Sequence, residues 1–112
     1  MVYKVYLICS EFEGRKLYKI GYTRRTIDKR IKEIRTGNGS EIYLVESFSS
    51  VWGTKIESHL HKQFMTKKLN GEWFDLTDED LKSFTSRCES IHNVFQTIVK
   101  DNTYYLETGK LY

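Results

Sequence analysis

Tyr6, Lys19, Arg30 and Glu57 are the polar side chains whose types and order along the chain could serve one reaction. They are a phenol, an ammonium, a guanidinium and a carboxylate, and the elements assigned below let them converge. Charge points to a partner. Residues 15 to 35 hold nine Lys or Arg (Arg15, Lys16, Lys19, Arg24, Arg25, Lys29, Arg30, Lys32 and Arg35) against Asp28 and Glu33, a net +7 in a chain whose total is +3. Such clustering aims one surface at a polyanion, although a basic run is also what a plain solvated helix face looks like. Glu57 and His61 lie four residues apart, on one turn of a helix, and could offer a metal two ligands; zinc asks for three or four. His59 lies about 160° round that helix from Glu57 and cannot join them. His61 is therefore expected to orient the glutamate, to bind phosphate or to serve the structure.

The positioning elements follow from periodicity. Residues 2 to 9 have the β-branched and aromatic content of a strand, with Val5, Leu7 and Cys9 on one face and Lys4, Tyr6 and Ile8 on the other. A turn around Gly14 leads to a second strand over 15 to 22. A four-residue loop from Glu11 to Gly14 pairs Ser10 with Arg15, Ile8 with Leu17 and Tyr6 with Lys19, and it matches the apolar faces. Tyr6 and Lys19 then become direct cross-strand neighbours. Thr26 reads as the N-cap of a helix over about 27 to 36, with Gly37 as its stop and Ile27, Ile31 and Ile34 as its buried stripe. Arg30 falls at the edge of that stripe, about 60° from its centre, where it can reach over the neighbouring sheet.

Asn38 to Ser40 reads as a turn and Glu41 to Phe48 as a third strand. A second helix is expected from about Ser50 to Lys67, with Trp52, Ile56, Leu60 and Phe64 on its core side. Asn70-Gly71 leads into a short extended segment, Glu72-Trp73-Phe74, whose aromatics imply burial. Thr77, Asp80, Leu76 and Leu81 carry a capping box and hydrophobic staple for a last helix over about 78 to 99. Its buried face is Leu81, Phe84, Cys88, Ile91, Phe95 and Ile98. Tyr104 to Tyr112 is an aromatic tail, read as an edge strand or a partner surface.

With 112 residues the chain has room for one domain, assigned to 1–100, with 101–112 as its tail. The apolar run Val5 to Cys9 is too short for a signal segment or a membrane span, so no membrane partner is expected. Cys9 and Cys88 lack CxxC spacing and read as core thiols in a reduced, intracellular compartment: cytoplasm, nucleoid or nucleus.

The order of these features resembles the GIY-YIG nuclease superfamily over about Val2 to Leu76. The first signature falls on Lys4-Val5-Tyr6, with Lys4 where the family has glycine. The second falls on Lys19-Ile20-Gly21, with Lys19 where many members have tyrosine, and Arg30 follows that glycine by nine residues. The K-I-G form, with E-x-x-x-H at Glu57 and His61 and G-E-W-F from Gly71 to Phe74, is similar to a branch frequent in phage and other viral genomes. The resemblance implies an α+β fold, a small mixed or antiparallel three-stranded sheet flanked by helices.

It also implies metal-dependent hydrolysis of DNA phosphodiesters. By resemblance Tyr6 is the general base, Arg30 holds the scissile phosphate and Glu57 holds one Mg²⁺ or Mn²⁺. A free tyrosine titrates near ~10, so a base role needs the phenolate favoured, which an adjacent Lys19 would do. Mg²⁺ keeps several waters and commonly takes one or two carboxylates plus substrate phosphates, so a single glutamate is compatible with it. Tyr22 could hydrogen-bond the water or a phosphate. Arg24, Arg25, Lys29, Lys32 and Arg35 read as nucleic-acid backbone contacts or a solvated face.

Three functions compete: a DNA endonuclease, a nucleic-acid-binding module that lost its chemistry, and a viral protein-interaction domain. The Lys4 departure keeps the second open, and the residues do not separate DNA from RNA. A separate DNA-reading domain after Lys100 is not expected. Structure-directed cleavage, or targeting by a homodimer or a separate partner, is expected.

Overall fold

The computed structural model describes residues 1–35, 41–69 and 71–101. The expected Gly37 stop, the turn at 38–40 and the tail at 104–112 lie outside the described residues. The fold is α+β: an antiparallel sheet of β1 (Tyr3–Phe12), β2 (Arg15–Thr23), β3 (Glu41–Ser50) and β4 (Trp73–Phe74), in the order β3-β1-β2-β4. The helices are α1 (Ile27–Arg35), α2 (Gly53–Gln63), α3 (Asp78–Lys82) and α4 (Phe84–Asp101). The three expected strands are joined by β4, which is two residues long and pairs only with Tyr18 and Lys19 at the β2 edge.

Alternation in β1 splits the core in two. Val5, Leu7 and Cys9 join Tyr18, Ile20, Ile56, Leu60, Phe64, Phe84 and Cys88 under α2 and α4. Tyr6 and Ile8 join Ile27, Ile31 and Ile42 under α1. Both faces of the central strand are therefore buried, which is why residues 5–9 read as a nearly continuous apolar run.

The hairpin register differs from the expected one. Phe12 faces Arg15, Ser10 faces Leu17, Ile8 faces Lys19 and Tyr6 faces Gly21. Glu13 and Gly14 both take positive φ (52° and 78°), so the turn closes in two residues and the ladder gains two positions. An even shift keeps every side chain on its expected face, but Tyr6 and Lys19 are no longer direct neighbours.

Two helices also depart from expectation. Ser50 stays in β3 and its Oγ accepts the Trp52 N–H at 2.9 Å, so α2 begins at Gly53; it ends at Gln63, and one 3₁₀ turn covers Met65–Lys67. The single helix expected over 78–99 breaks at Ser83, whose hydroxyl donates to the Asp80 carbonyl at 2.7 Å and accepts from Arg87 Nε. A serine hydroxyl competing for a helix carbonyl perturbs the ladder there. The capping box at Thr77 is present: Thr77 Oγ1 accepts from the Asp80 N–H at 3.2 Å, and Asp80 Oδ2 accepts from the Thr77 N–H at 2.9 Å. Ile98, expected on the buried face, is 41% exposed.

Candidate active site

Because β4 is so short, the rest of the β2 edge is open. The hairpin closes on Phe12–Arg15, and in an antiparallel ladder alternate pairs exchange both hydrogen bonds. Counting down from that pair, Gly21 turns its peptide groups to β1, whereas Ile20 and Tyr22 turn theirs to the open edge. His61 takes the first of these: its Nε2 donates to the Ile20 carbonyl at 2.8 Å. Since a carbonyl only accepts, that nitrogen carries the proton. Beyond it lies a cavity of about 350 Å³ lined by Tyr6, Gly21, Tyr22, Thr23, Arg25, Arg30, Glu57 and Glu72.

Tyr6 enters from the α1 side of the sheet and is 1% exposed. Its ring crosses the backbone of Gly21, where an added Cβ would come within 2.6 Å of Tyr6 Cζ. The glycine is thus required for space rather than for backbone freedom, since its φ is not positive. This packing carries the hydroxyl to the helix opposite, where Arg30 Nε donates to Tyr6 Oη at 3.0 Å. Arg30 starts from the first turn of α1, which Thr26 caps through Oγ1 and the Lys29 N–H at 3.4 Å. Its Nη1 donates to Glu33 Oε2 at 3.0 Å, and Glu33 Oε1 also takes Arg25 Nη2 at 2.5 Å. One glutamate, three residues along the helix, therefore holds both arginines at the cavity wall.

Lys19 does not partner Tyr6. Its ammonium is ion-paired with Glu72 and lies 5.9 Å from the centroid of the Trp73 ring. The two-residue register shift and the pairing of Lys19 with Trp73 on β4 send it that way. The cation bonded to Tyr6 is Arg30.

Glu57 comes from α2 on the other face, and its Oε1 stands 3.5 Å from His61 Nε2. Burial pushes the Glu57 carboxyl up, against the pull of His61, with Glu72 adding to the push and Lys19 opposing it. The bond from Lys19 holds the neighbouring Glu72 carboxyl below the ordinary carboxylate range. Two carboxyls on one cavity are thus driven in opposite directions by different surroundings. His61 is fixed by the Ile20 carbonyl and by an edge contact with Phe74, ring centroids 5.0 Å apart.

The basic residues of α1 and the preceding loop part company. Arg25 reaches the cavity; Arg24 Nη1 lies 3.1 Å from Met1 Sδ, and Lys29 is exposed. Arg35 is bound into the fold, with Nε and Nη2 on the Ile42 carbonyl at 3.2 and 2.7 Å. Lys32 lines a separate hollow with Arg35, Asp28 and Tyr43.

Glu72, Glu33 and the spatial role of Gly21 escaped the sequence reading. The Arg30–Glu33 spacing of three residues on a helix was a readable signal. Glu72 stands in the sequence only as part of the G-E-W-F segment, because tertiary structure alone brings it to Lys19. No group of three or more His, Cys, Asp or Glu among the described residues could hold a metal. The carboxyls on the cavity are Glu57 and Glu72, the second in its ion pair with Lys19; oxygen donors this few suit a water-rich Mg²⁺ or Mn²⁺ and are too few for zinc.

No helix among the described residues is long and apolar enough to cross a membrane. No curated protein and no solved structure matches the chain. Among known families, residues 3–89 match the T5orf172 domain, a phage-derived domain associated with endonuclease-like, GIY-YIG-related proteins. That span runs from the start of β1 into α4 and takes in every residue of the cavity. A match over most of the 112 residues decides the assignment: the chain belongs to the T5orf172 domain family.

Proposed function

We propose that this chain is a GIY-YIG-type endonuclease that hydrolyses DNA phosphodiesters in the cavity at the open β2 edge. The observation that carries the reading is the 3.0 Å bond from Arg30 Nε to Tyr6 Oη on a cavity that also holds Glu57. A phenol, a guanidinium and a carboxylate line one cavity, and that shared lining supports the superfamily reading.

Phosphodiester hydrolysis needs a water deprotonated, charge on the phosphoryl oxygens balanced and the leaving oxygen stabilised. Tyr6 is the general base that takes the proton of the attacking water, with its Oη held in place by the Arg30 Nε–H. The Arg30 Nη2 edge, the part of the fork engaged by neither Tyr6 nor Glu33, holds a phosphate oxygen, and Arg25 adds a second positive group on the same wall. Glu57, ionised, holds one Mg²⁺ or Mn²⁺. When bound, such an ion supplies Lewis-acid stabilisation of the phosphoryl and leaving oxygens. His61, fixed on Ile20, limits where the Glu57 carboxylate can swing. Glu72 keeps Lys19 neutralised, so that the lysine neither competes with the metal nor grips the phosphate.

Cleavage of plasmid and oligonucleotide DNA with Mg²⁺, Mn²⁺ or EDTA, by wild type and Tyr6→Phe, tests the reading. Metal-dependent cleavage lost in Tyr6→Phe is expected; binding with no cleavage would replace the enzyme with a binding module.

A further inference from the structure

Two tyrosines line the cavity, and they are not alike. Tyr6 is 1% exposed, pressed on Gly21 and bonded to Arg30. Tyr22, one residue past that glycine, is 42% exposed, and no described residue hydrogen-bonds its hydroxyl. Its ring is nevertheless braced: Tyr3 meets it edge-on, with centroids 5.7 Å apart at 79°. Arg25 and Arg30 stand on the same cavity. A braced, exposed ring beside guanidinium groups is the combination by which proteins hold single strands, the cations on the phosphates and the ring against a base.

We infer that Tyr22 is a stacking platform for an unpaired base, and that the cavity therefore takes DNA with a single-stranded nucleotide at the scissile position rather than continuous duplex. The inference rests on the cavity being a phosphodiester site. Inside a duplex both faces of a base are covered by its neighbours, so a base reaches a ring only after leaving the stack, at an energetic cost. A strand that is already unpaired avoids that cost. Tyr22 thereby selects among substrates, where a role for its hydroxyl alone would not.

The test is equilibrium binding by fluorescence anisotropy in EDTA, so that cleavage does not intervene. Three probes of common sequence are used: a single strand, a blunt duplex, and a duplex carrying a single-stranded flap. Wild type is expected to bind the single strand and the flap more tightly than the blunt duplex. Tyr22→Ala should weaken the first two by about five- to a hundredfold and leave the third nearly unchanged. Tyr22→Phe, which keeps the ring, should bind as wild type. The inference is overturned if Tyr22→Phe loses as much as Tyr22→Ala, if Tyr22→Ala weakens all three probes alike or none, or if wild type prefers the blunt duplex or binds none of the three. A Tyr22-dependent preference for unpaired DNA with no cleavage in Mg²⁺ would uphold Tyr22 as the stacking platform and overturn both the hydrolase reading and the placement of the unpaired nucleotide at a scissile position. Cleavage without that preference would do the reverse.

Discussion

The Tyr6 ring lies across Gly21 on the neighbouring strand, in space that a single methyl group would fill. Gly21→Ala must push the ring aside, and forcing one carbon into packed surroundings costs about 1–3 kcal/mol. The same displacement moves Tyr6 Oη off Arg30. Chemical denaturation should show that loss of stability, and cleavage should fall even under conditions where the variant is fully folded. An alanine variant with wild-type stability and rate would mean the ring does not need this path.

Arg30 uses its fork in two directions, Nε to Tyr6 and Nη1 to Glu33. Lysine keeps the charge but not the planar geometry. Arg30→Lys is therefore expected to lower the cleavage rate by about 10²–10³-fold, the usual cost of one placed donor at developing charge. Single-turnover kinetics at saturating enzyme separates this from weaker DNA binding. A rate within a few-fold of wild type would reduce Arg30 to a point charge.

The Lys19–Glu72 pair is asymmetric: the lysine side chain is 10% exposed and the glutamate 62%. Removing the glutamate leaves a buried cation without its carboxylate and with the Trp73 ring nearby, whereas removing the lysine returns a carboxylate to water. Glu72→Ala should thus cost about 1–3 kcal/mol and Lys19→Met less. The Glu72 carboxyl is held low by Lys19, so the pair's contribution is present above the ordinary carboxylate value. It is lost as pH falls through the lowered one. Denaturation of wild type and Glu72→Ala should therefore converge in acid. Equal costs for the two substitutions would contradict this account.

Glu57 has the opposite sign. Its carboxyl is raised by burial, against His61, so it favours folding while protonated and that contribution is lost as pH rises through the raised value. At about pH 7.5 the charge sits in the cavity at a cost that glutamine does not carry. Glu57→Gln should melt higher than wild type there, with the gain shrinking as pH falls through the raised value and the carboxyl takes up its proton. Melting curves across that range give the answer, and a variant less stable at neutral pH would contradict the burial argument.

Much of this was legible in the chain. Alternation in residues 3–9, the isoleucine stripe of α1 and the Thr77 capping box gave faces and helix starts that the structure keeps. Local signals failed where a choice rested on backbone conformation or distant partners. The positive φ at Glu13 is rare for a side-chain-bearing residue, so a two-residue turn was not the obvious closure, and the register moved by two. Ser83 breaks the last helix through one hydroxyl that no hydrophobic period registers. At the site, Tyr6, Arg30, Glu57 and Tyr22 were brought onto one cavity as their spacings allowed. Lys19 was misassigned to Tyr6 because Glu72, fifty-three residues away, claims it.

The most direct test of the central claim is nicking of supercoiled plasmid by wild type and Glu57→Gln in Mg²⁺, in Mn²⁺ and in EDTA. Wild type should nick with either metal and not in EDTA, and Glu57→Gln should be inactive throughout while remaining folded at neutral pH. Full activity in Glu57→Gln, or wild-type nicking that persists in EDTA, would contradict the account.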